Sequence, residues 1–335
     1  MKHLLIPVLL FPSFLLAQLT QEMHDSGYFM QMNNTLNIRL DVDNDVRSFK
    51  FEGIEDQYSI QPNTRLRTTI AFNYRFLSFK IGYSPQFLTL HDPDVKGDTK
   101  LFKMALEMYL GNWMQTFDYN QTKGYFVEGF NDPGLIPDDN EPVILLPNLQ
   151  TYSFIGHTRY RFNENYSFKA VANQNEIQTR SAGSFVPSLS YGYMEIRDSG
   201  SPQDLKSFFA ILNAGYYHTF VLHRNWYSNL GISPGIGMEW NKLITRTVDG
   251  HFVNHEQNLA FALHTQIGIG YNSTRFYGGM ALVGEATSRQ ENSLIQFNNE
   301  RGYFKVFIGY RFNAPKSLER AMDWMEEQNP FKKSR

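Results

Sequence analysis

Alternation of apolar and polar residues constrains the fold of this chain more than any other feature. In the stretch TRLRTTIAFNYRF, residues 64–76, apolar residues and threonines alternate with a second set that holds Arg65, Arg67 and Arg75. Because successive side chains of a β-strand point to opposite faces, one face of this strand is apolar and the other cationic. The pattern recurs at 36–43, 78–84, 102–110, 152–162, 166–172, 212–222, 230–240, 259–271, 276–282 and 304–312. A tilted strand that crosses a bilayer needs about 9–11 residues, and most of these segments reach that length.

Three further features favour a transmembrane barrel over a soluble sandwich, which also alternates. Glycines crowd the polar face, at Gly231, Gly235, Gly237, Gly268, Gly270, Gly279 and Gly309. Short connections (111–112, 163–165, 223–225, 272–275) alternate with long ones (85–99, 123–149, 241–256, 286–301), as in outer-membrane barrels. Aromatic residues make up 15% of the chain and flank the short turns. The predicted aromatic girdle consists of Tyr74, Phe76, Trp113, Phe162, Tyr166, Trp226, Tyr271, Phe276 and Phe312.

These features predict an all-β fold, a closed antiparallel transmembrane β-barrel of about 12 strands. Lipid offers no hydrogen-bond partner to a free sheet edge, so the sheet must close. The count of twelve takes Tyr166 to Ile196 as one strand. A separate strand Ser184 to Met194 gives thirteen, and a further division of the first hairpin near Asn44-Asp45 gives fourteen. We expect a short periplasmic helix after the barrel, capped by Ser317, with Leu318, Ala321, Met322 and Met325 on one face.

The N-terminal residues predict export. Residues 1–17 have a basic start, an apolar run and Ala17 before Gln18, as in a cleaved signal peptide. The predicted domains are the signal peptide 1–17, a periplasmic segment 18–33, the outer-membrane barrel 34–313 and a periplasmic amphipathic tail 314–335. The net charge of −2 gives no reason to expect nucleic acid, and the absence of cysteine excludes disulfides and thiolate metal sites.

Three stretches resemble the domain-of-unknown-function family 4421 of exported Bacteroidota proteins. They are QYSIQPNT at 57–64, VKGDTK at 95–100 and ANQNEIQTRSAGSF at 172–185. The resemblance covers residues 25–313, implies an outer-membrane or envelope barrel, and supplies neither an activity nor a catalytic residue.

Charged residues on the inward phase of the strands define the candidate site. This set contains ten Lys and Arg but only three Glu. The predicted lumen-lining residues are Arg65, Arg67, Lys103, Glu107, His157, Arg159, Arg161, Lys169, Glu239, His264 and Lys305. Two interpretations stay open: an electropositive lumen that favours anions, or charges that pair with one another and fill a small barrel.

Evidence for other chemistry is weak. A lipid hydrolase would need a serine and a histidine at the barrel wall. His218 lies on an outward phase and Ser228 lies near the next turn, but no nucleophile motif surrounds them. HDPDVKGD at 91–98 resembles a calcium loop, yet Lys96 takes an oxygen position and no glutamate closes it. The long loop at 124–147 is the best candidate for contact with a ligand or partner.

These patterns predict, first, a channel or transport component for small anionic solutes in the cell outer membrane. The alternative is a non-conducting surface barrel that binds a ligand or partner through its long outer loops, and the third is a lipid-modifying barrel enzyme. We expect no enzymatic activity, no cofactor and no metal. The predicted partners are outer-membrane lipid and a small solute or periplasmic protein, without nucleic acid.

Overall fold

The computed structural model describes residues 24–25, 27–45, 49–52, 57–63, 66–85, 93–130, 144–200, 203–248, 250–290 and 296–327. The predicted signal peptide, Arg65, much of the loop at 124–147 and the tail beyond Glu327 lie outside these ranges. The strands are β1 His24–Asp25, β2 Phe29–Gln31, β3 Thr35–Asp43, β4 Phe49–Glu52, β5 Gln57–Gln61, β6 Arg67–Tyr74, β7 Leu77–Tyr83, β8 Lys100–Leu110, β9 Trp113–Phe130, β10 Ile144–Tyr160, β11 Glu176–Gln178, β12 Ala182–Asp198, β13 Gln203–His223, β14 Trp226–Thr247, β15 Gly250–Asn272, β16 Phe276–Gln290 and β17 Gln296–Asn313. The helices are α1 Pro93–Lys96, α2 Phe168–Ala172 and α3 Lys316–Glu327.

Twelve of the described strands form one closed antiparallel barrel, as the alternation predicts. Around the ring their order is β3, β6, β7, β8, β9, β10, β12, β13, β14, β15, β16 and β17, and β17 pairs with β3 to close it. Every backbone edge of the ring therefore has a neighbour, which is the condition for a sheet in lipid. We call the end with the tight connections at 75–76, 111–112, 224–225 and 273–275 the turn end, and the opposite end the loop end.

The hairpin β4–β5 explains why fourteen strands was a reasonable alternative count. Strands β3, β6, β7 and β8 are short, 7 to 11 residues, whereas β13, β14 and β15 have 21 to 23. Above the short strands, β4 pairs with β17 and β5 pairs with β9. The hairpin therefore completes the wall at the loop end without adding strands that cross the whole barrel.

The burial pattern is inverted relative to a soluble protein. The two largest fully buried side chains in the described part of the chain are arginines, Arg39 and Arg311, each 1% exposed. Large apolar side chains on the outward phase are exposed, such as Leu212 at 67% and Leu282 at 62%. Apolar residues placed outward in this way are favourable in a bilayer and unfavourable in water.

Several predicted connections differ from the structure. The segment 161–181 is not a short turn at 163–165: it enters the lumen, and its predicted strand 166–172 contains helix α2. The predicted long connections at 241–256 and 286–301 are largely strand, because β14, β15, β16 and β17 continue far past the other strands. A strand can continue wherever its backbone pairs with a neighbour, and polar side chains at the loop end do not prevent this pairing.

The C-terminal helix is present and begins at Lys316, one residue before the predicted cap Ser317. Within the described ranges, no helix combines the length and the apolar character needed to cross a membrane.

Candidate functional site

The lumen contains a cavity of about 380 Å³ between the barrel wall and the segment 161–181, which we call the plug. The wall strands supply charged, hydroxyl and amide side chains to this cavity. The plug supplies its floor through Tyr166, Phe168, Val171 and Ala172. The cavity is thus bounded at the turn end by the protein's own chain.

Local polar contacts stabilise the fold of the plug. Ser167 has an extended backbone and caps α2, because its Oγ accepts a hydrogen bond from the Ala170 amide at 2.9 Å. The same hydroxyl donates to Glu176 at 2.5 Å, and Lys169 lies 3.3 Å from the other carboxylate oxygen of Glu176. Gln174 has a positive φ of 54°, which turns the chain at the far side of the lumen.

Apolar contacts hold one side of the plug. Tyr166 and Phe168 belong to a buried cluster that also includes Tyr109, Met114, Ala182 and Val186. These partners come from β8, β9 and β12. The plug itself connects β10 to β12, so its apolar contacts are on this side of the ring.

Hydrogen bonds hold the other side of the plug to the opposite wall. Arg39 on β3 donates to the Ala172 carbonyl at 2.7 Å and to Oε1 of Gln174 at 2.6 Å. Arg311 on β17 donates to the Gln174 carbonyl. Around the ring of twelve strands, β3 lies six positions from β12, and β17 lies six positions from β10. The plug therefore crosses the full width of the lumen. Further bonds run between Asn37 and Asn173, Asn272 and Glu176, Asn175 and Arg75, and Gln174 and Tyr227.

The N-terminal segment adds to the plug. Strand β2 pairs with β11, which belongs to the plug, and with β1. Phe29 and Met32 are buried, at 6% and 0% exposed. Residues around β2, predicted as part of a separate periplasmic segment, therefore pack into the turn end of the lumen.

Ion pairs cover the cavity wall formed by β3 and β6 to β9. Arg67 bridges Asp43 at 2.8 Å and Asp45 at 2.7 Å. The other pairs on this side are Arg39 with Asp41, Lys80 with Glu107, and Lys103 with Asp118 at 3.4 Å. A cation that already shares its charge with a buried carboxylate has little left to attract an anion.

The cavity wall formed by β10 and β12 to β15 is mostly neutral. His157 Nδ1 lies 2.8 Å from Ser190 Oγ, and Asn213 donates to the same hydroxyl at 3.1 Å. His264 lies 3.5 Å from the Tyr217 hydroxyl. Hydroxyl, amide and imidazole groups of this kind both donate and accept hydrogen bonds.

The predicted lumen residues fall into two groups. Eight line the cavity: Arg67, Lys103, Glu107, His157, Arg159, Glu239, His264 and Lys305. Arg161 and Lys169 lie in the plug and not on the barrel wall. The sequence count overlooked inward carboxylates, because Asp41, Asp43, Asp45 and Asp118 also line the cavity. With them the lining has seven carboxylates, Glu107, Glu239 and Glu285 included, against five Lys and Arg, so the cavity itself has no excess of cations.

Most predicted girdle residues lie at the turn end of the barrel. Trp113, Phe162, Trp226, Phe276 and Phe312 are exposed there, between 36% and 63%. The rings of Trp226 and Tyr271 pack edge to face at 5.5 Å, and Phe76 lies partly buried in the β6–β7 turn. The prediction that Tyr166 belongs to the girdle is wrong, because this side chain is buried in the lumen. Tyr74 is also covered, at 5% exposed.

The two weaker chemical candidates have structural partners. Ser228 donates to the Gly268 carbonyl at 3.0 Å, while His218 stacks near Phe220, 4.2 Å between ring centroids. In the calcium-like loop, Lys96 is buried over the Phe126 ring, and Asn63 donates to the Gly97 carbonyl at 2.6 Å. The stretches 57–64 and 95–100 are thus in contact through Asn63 and Gly97, whereas 172–185 lies in and after the plug.

A family model described as Domain of unknown function (DUF4421) matches residues 23–312. None of the curated proteins matches this sequence. Among solved structures, the beta domain of the Bordetella autotransporter BrkA has 9% identity and a TM-score of 0.41, covering 83% of this chain and 100% of the other. OmpT, an outer membrane protein of Vibrio cholerae, has 7% identity and a TM-score of 0.34, covering 87% and 100%. The outer membrane protease OmpT from Escherichia coli has 9% identity and a TM-score of 0.33, covering 84% and 98%.

Proposed function

The chain belongs to the family described as Domain of unknown function (DUF4421), and we propose that it is an outer-membrane barrel sealed at its turn end that binds a small uncharged polar solute in its lumen. The exposed apolar wall supports the membrane location. Tight turns are typical of the periplasmic side of such barrels, so the turn end faces the periplasm. The observation that carries the proposal is the plug, which is bonded to opposite walls across the whole lumen.

The cavity supports the class of ligand. A volume of about 380 Å³ is within the range of small-molecule sites. The ion pairs cancel most charge on one wall, and the other wall offers Ser190, Asn213 and His157 for hydrogen bonds. The hydroxyls of Thr69 and Thr116 line the cavity, are buried and have no hydrogen-bond partner among the residues that the structure describes. A compound rich in hydroxyl groups satisfies such groups, whereas an anion meets a lining in which carboxylates are in the majority.

Recording in planar bilayers tests the seal. We expect the purified chain to show no steady current. A variant in which residues 164–179 are replaced by a short glycine-serine linker should conduct, since neighbouring strands are only about 4.8 Å apart and a short linker can join β10 to β12. Heat-modifiable migration on gels confirms that both barrels are folded. A steady current through the unmodified chain, equal to that of the variant, would show that the plug is no seal.

A matched pair of probes tests the ligand class. Glucose and glucuronate have similar size and differ in charge, so calorimetric titration with each separates a neutral from an anionic preference. We expect heat only with the neutral sugar, or a larger affinity for it. Ala262→Phe fills the cavity and should abolish binding, whereas Ala214→Phe, on an exposed position of β13, should not. A preference for glucuronate would favour the anion passage predicted from the sequence.

A gated passage is the second candidate function, and the unequal anchoring of the plug supports it. Apolar contacts of Tyr166 and Phe168 fix the plug to one wall. Among the described residues, Asn173–Asn175 are held to the opposite wall by hydrogen bonds. Such a segment can hinge about its apolar side if a ligand or partner competes for Arg39 and Arg311. We expect voltage or ligand to produce discrete openings in this case.

A further inference from the structure

Tyr74 is buried although its strand position points away from the lumen. On β6 the inward residues are Arg67, Thr69, Ala71 and Asn73, so Tyr74 shares the outward phase with Ile70 and Phe72. Phe72 is 43% exposed, whereas Tyr74 is 5% exposed. Something other than lipid therefore covers the outer wall at this point.

Helix α3 provides that cover. Asp323 forms an ion pair with Arg75 at 2.5 Å, next to Tyr74, and Met322 is 4% exposed. The carboxylates of Glu319 and Asp323 lie near enough to the Tyr74 phenol to interact with it electrostatically. The helix consequently lies beside the wall, at the depth of the aromatic girdle, and not below the lumen.

The apolar side of α3 is the exposed sector that runs from Trp324 through Ala321 to Met325, and it contains one polar residue, Ser317. Residues of an α-helix follow one another at about 100°, so Trp324 lies about 200° from the buried Met322. Trp324 is 64% exposed and Met325 40%, and Ala321 between them is exposed as well. Lys316, Arg320 and Glu327 lie on the side opposite Met325 and are exposed.

We infer that α3 lies in the inner-leaflet interface of the outer membrane, with Trp324 and Met325 in contact with lipid. The inference rests on the proposed membrane location of the barrel. Lipid is the partner that the structure favours for the apolar side of α3. The exposed girdle residue Phe312 lies only four residues before the helix begins, so this side of α3 follows directly on the aromatic girdle. A Trp side chain has an apolar body and a polar N–H, which suits the headgroup boundary. Trp324 thus takes the place in the girdle that the helix removes from Tyr74.

A single-cysteine label tests the position of each side chain, because the chain has no cysteine of its own. Trp324→Cys and Met325→Cys report the apolar side, Lys316→Cys the side opposite Met325, and Phe312→Cys the girdle of the barrel. Each variant carries an environment-sensitive fluorophore and is folded into vesicles of phosphatidylethanolamine and phosphatidylglycerol. Quenching by a nitroxide on the lipid chains is then compared with quenching by aqueous iodide.

We expect the labels at 324, 325 and 312 to be quenched several-fold more by the lipid nitroxide than the label at 316, which iodide should quench instead. If the label at 312 fails to respond to the lipid quencher, the membrane location itself is wrong. If 312 responds and 324 and 325 respond only to iodide, α3 lies in water and this inference is wrong. Shielding from both quenchers means that protein covers α3, and removal of residues 328–335 then shows whether the chain's own tail is that cover. Either result overturns the inference.

Discussion

The guanidinium of Arg39 donates to Oε1 of Gln174 at 2.6 Å, and this bond joins opposite sides of the barrel. Arg39 belongs to β3, whereas Gln174 belongs to a plug that enters between β10 and β12. The same guanidinium contacts Asp41 through Nε at 2.6 Å, so one side chain links a wall carboxylate to the plug. Closure of the lumen and stability of the barrel therefore depend on a shared residue.

The first prediction concerns closure. Replacing Arg39 by Met and Asp41 by Leu together removes two plug contacts without leaving a buried charge. We expect this double variant to show brief openings in planar bilayers, because the plug keeps its apolar anchor but loses bonds to β3. The control is Lys103→Met with Asp118→Leu, a cavity ion pair with no bond to the plug in the described residues. Equal currents from the two variants would mean that Arg39 does not hold the plug.

The second prediction concerns stability. Arg39→Met alone leaves Asp41 buried without its nearest cation, and loss of one partner of a buried pair costs about 3–5 kcal/mol. The double variant Arg39→Met and Asp41→Leu should recover most of this loss, because no uncompensated carboxylate remains. Urea titrations of folding into lipid vesicles measure both free energies of unfolding. A double variant no more stable than Arg39→Met alone would show that the pair is not coupled.

The alternation of the strands predicted the barrel and its closure, and it favoured twelve strands while leaving fourteen open. The rule is physical, since each strand has a lipid face and a lumen face and the residues must match both. The same rule indicates the wall carboxylates: Asp41 and Asp43 share the phase of Arg39, and Asp118 lies between Phe117 and Tyr119. They could have been included in the lumen from the sequence.

In the sequence, the plug is indicated only by an interruption of the alternation. Residues 166–172 alternate like a strand, but they are too short to distinguish a strand from a buried helix. After them, Asn173, Gln174, Asn175 and Glu176 are polar on both phases and cannot face lipid. Such a run indicates a segment that leaves the wall, although it does not show where the segment goes. Its bonds to Arg39 and Arg311 depend on residues more than 130 positions away in the chain, and no local pattern predicts them.

The third prediction concerns close packing in the lumen at Gly309. A Cβ added to Gly309 would overlap the phenol of Tyr277, which is fully buried and hydrogen-bonded to Asn37. Because the ring cannot swing away, we expect Gly309→Ala to lower the free energy of unfolding by about 1–3 kcal/mol. Gly302→Ala, on the same strand, places its Cβ in open space and should change stability little. Similar effects from both, measured by urea titration, would indicate a general intolerance of alanine in β17.

The fourth prediction tests the inverted burial directly, at Ile267. This side chain is 56% exposed on the outward phase of β15, opposite Leu230 and Leu282 on the neighbouring strands. In water, arginine at such an exposed position would cost almost nothing, whereas on the lipid face of a barrel it costs about 2–4 kcal/mol near the bilayer centre. We therefore expect Ile267→Arg to destabilise the folded barrel in vesicles by that amount. Val248→Arg, at the fully exposed tip of the β14–β15 connection, provides the control and should leave the free energy of unfolding unchanged. If Ile267→Arg proves as harmless as Val248→Arg, the wall of the barrel faces water.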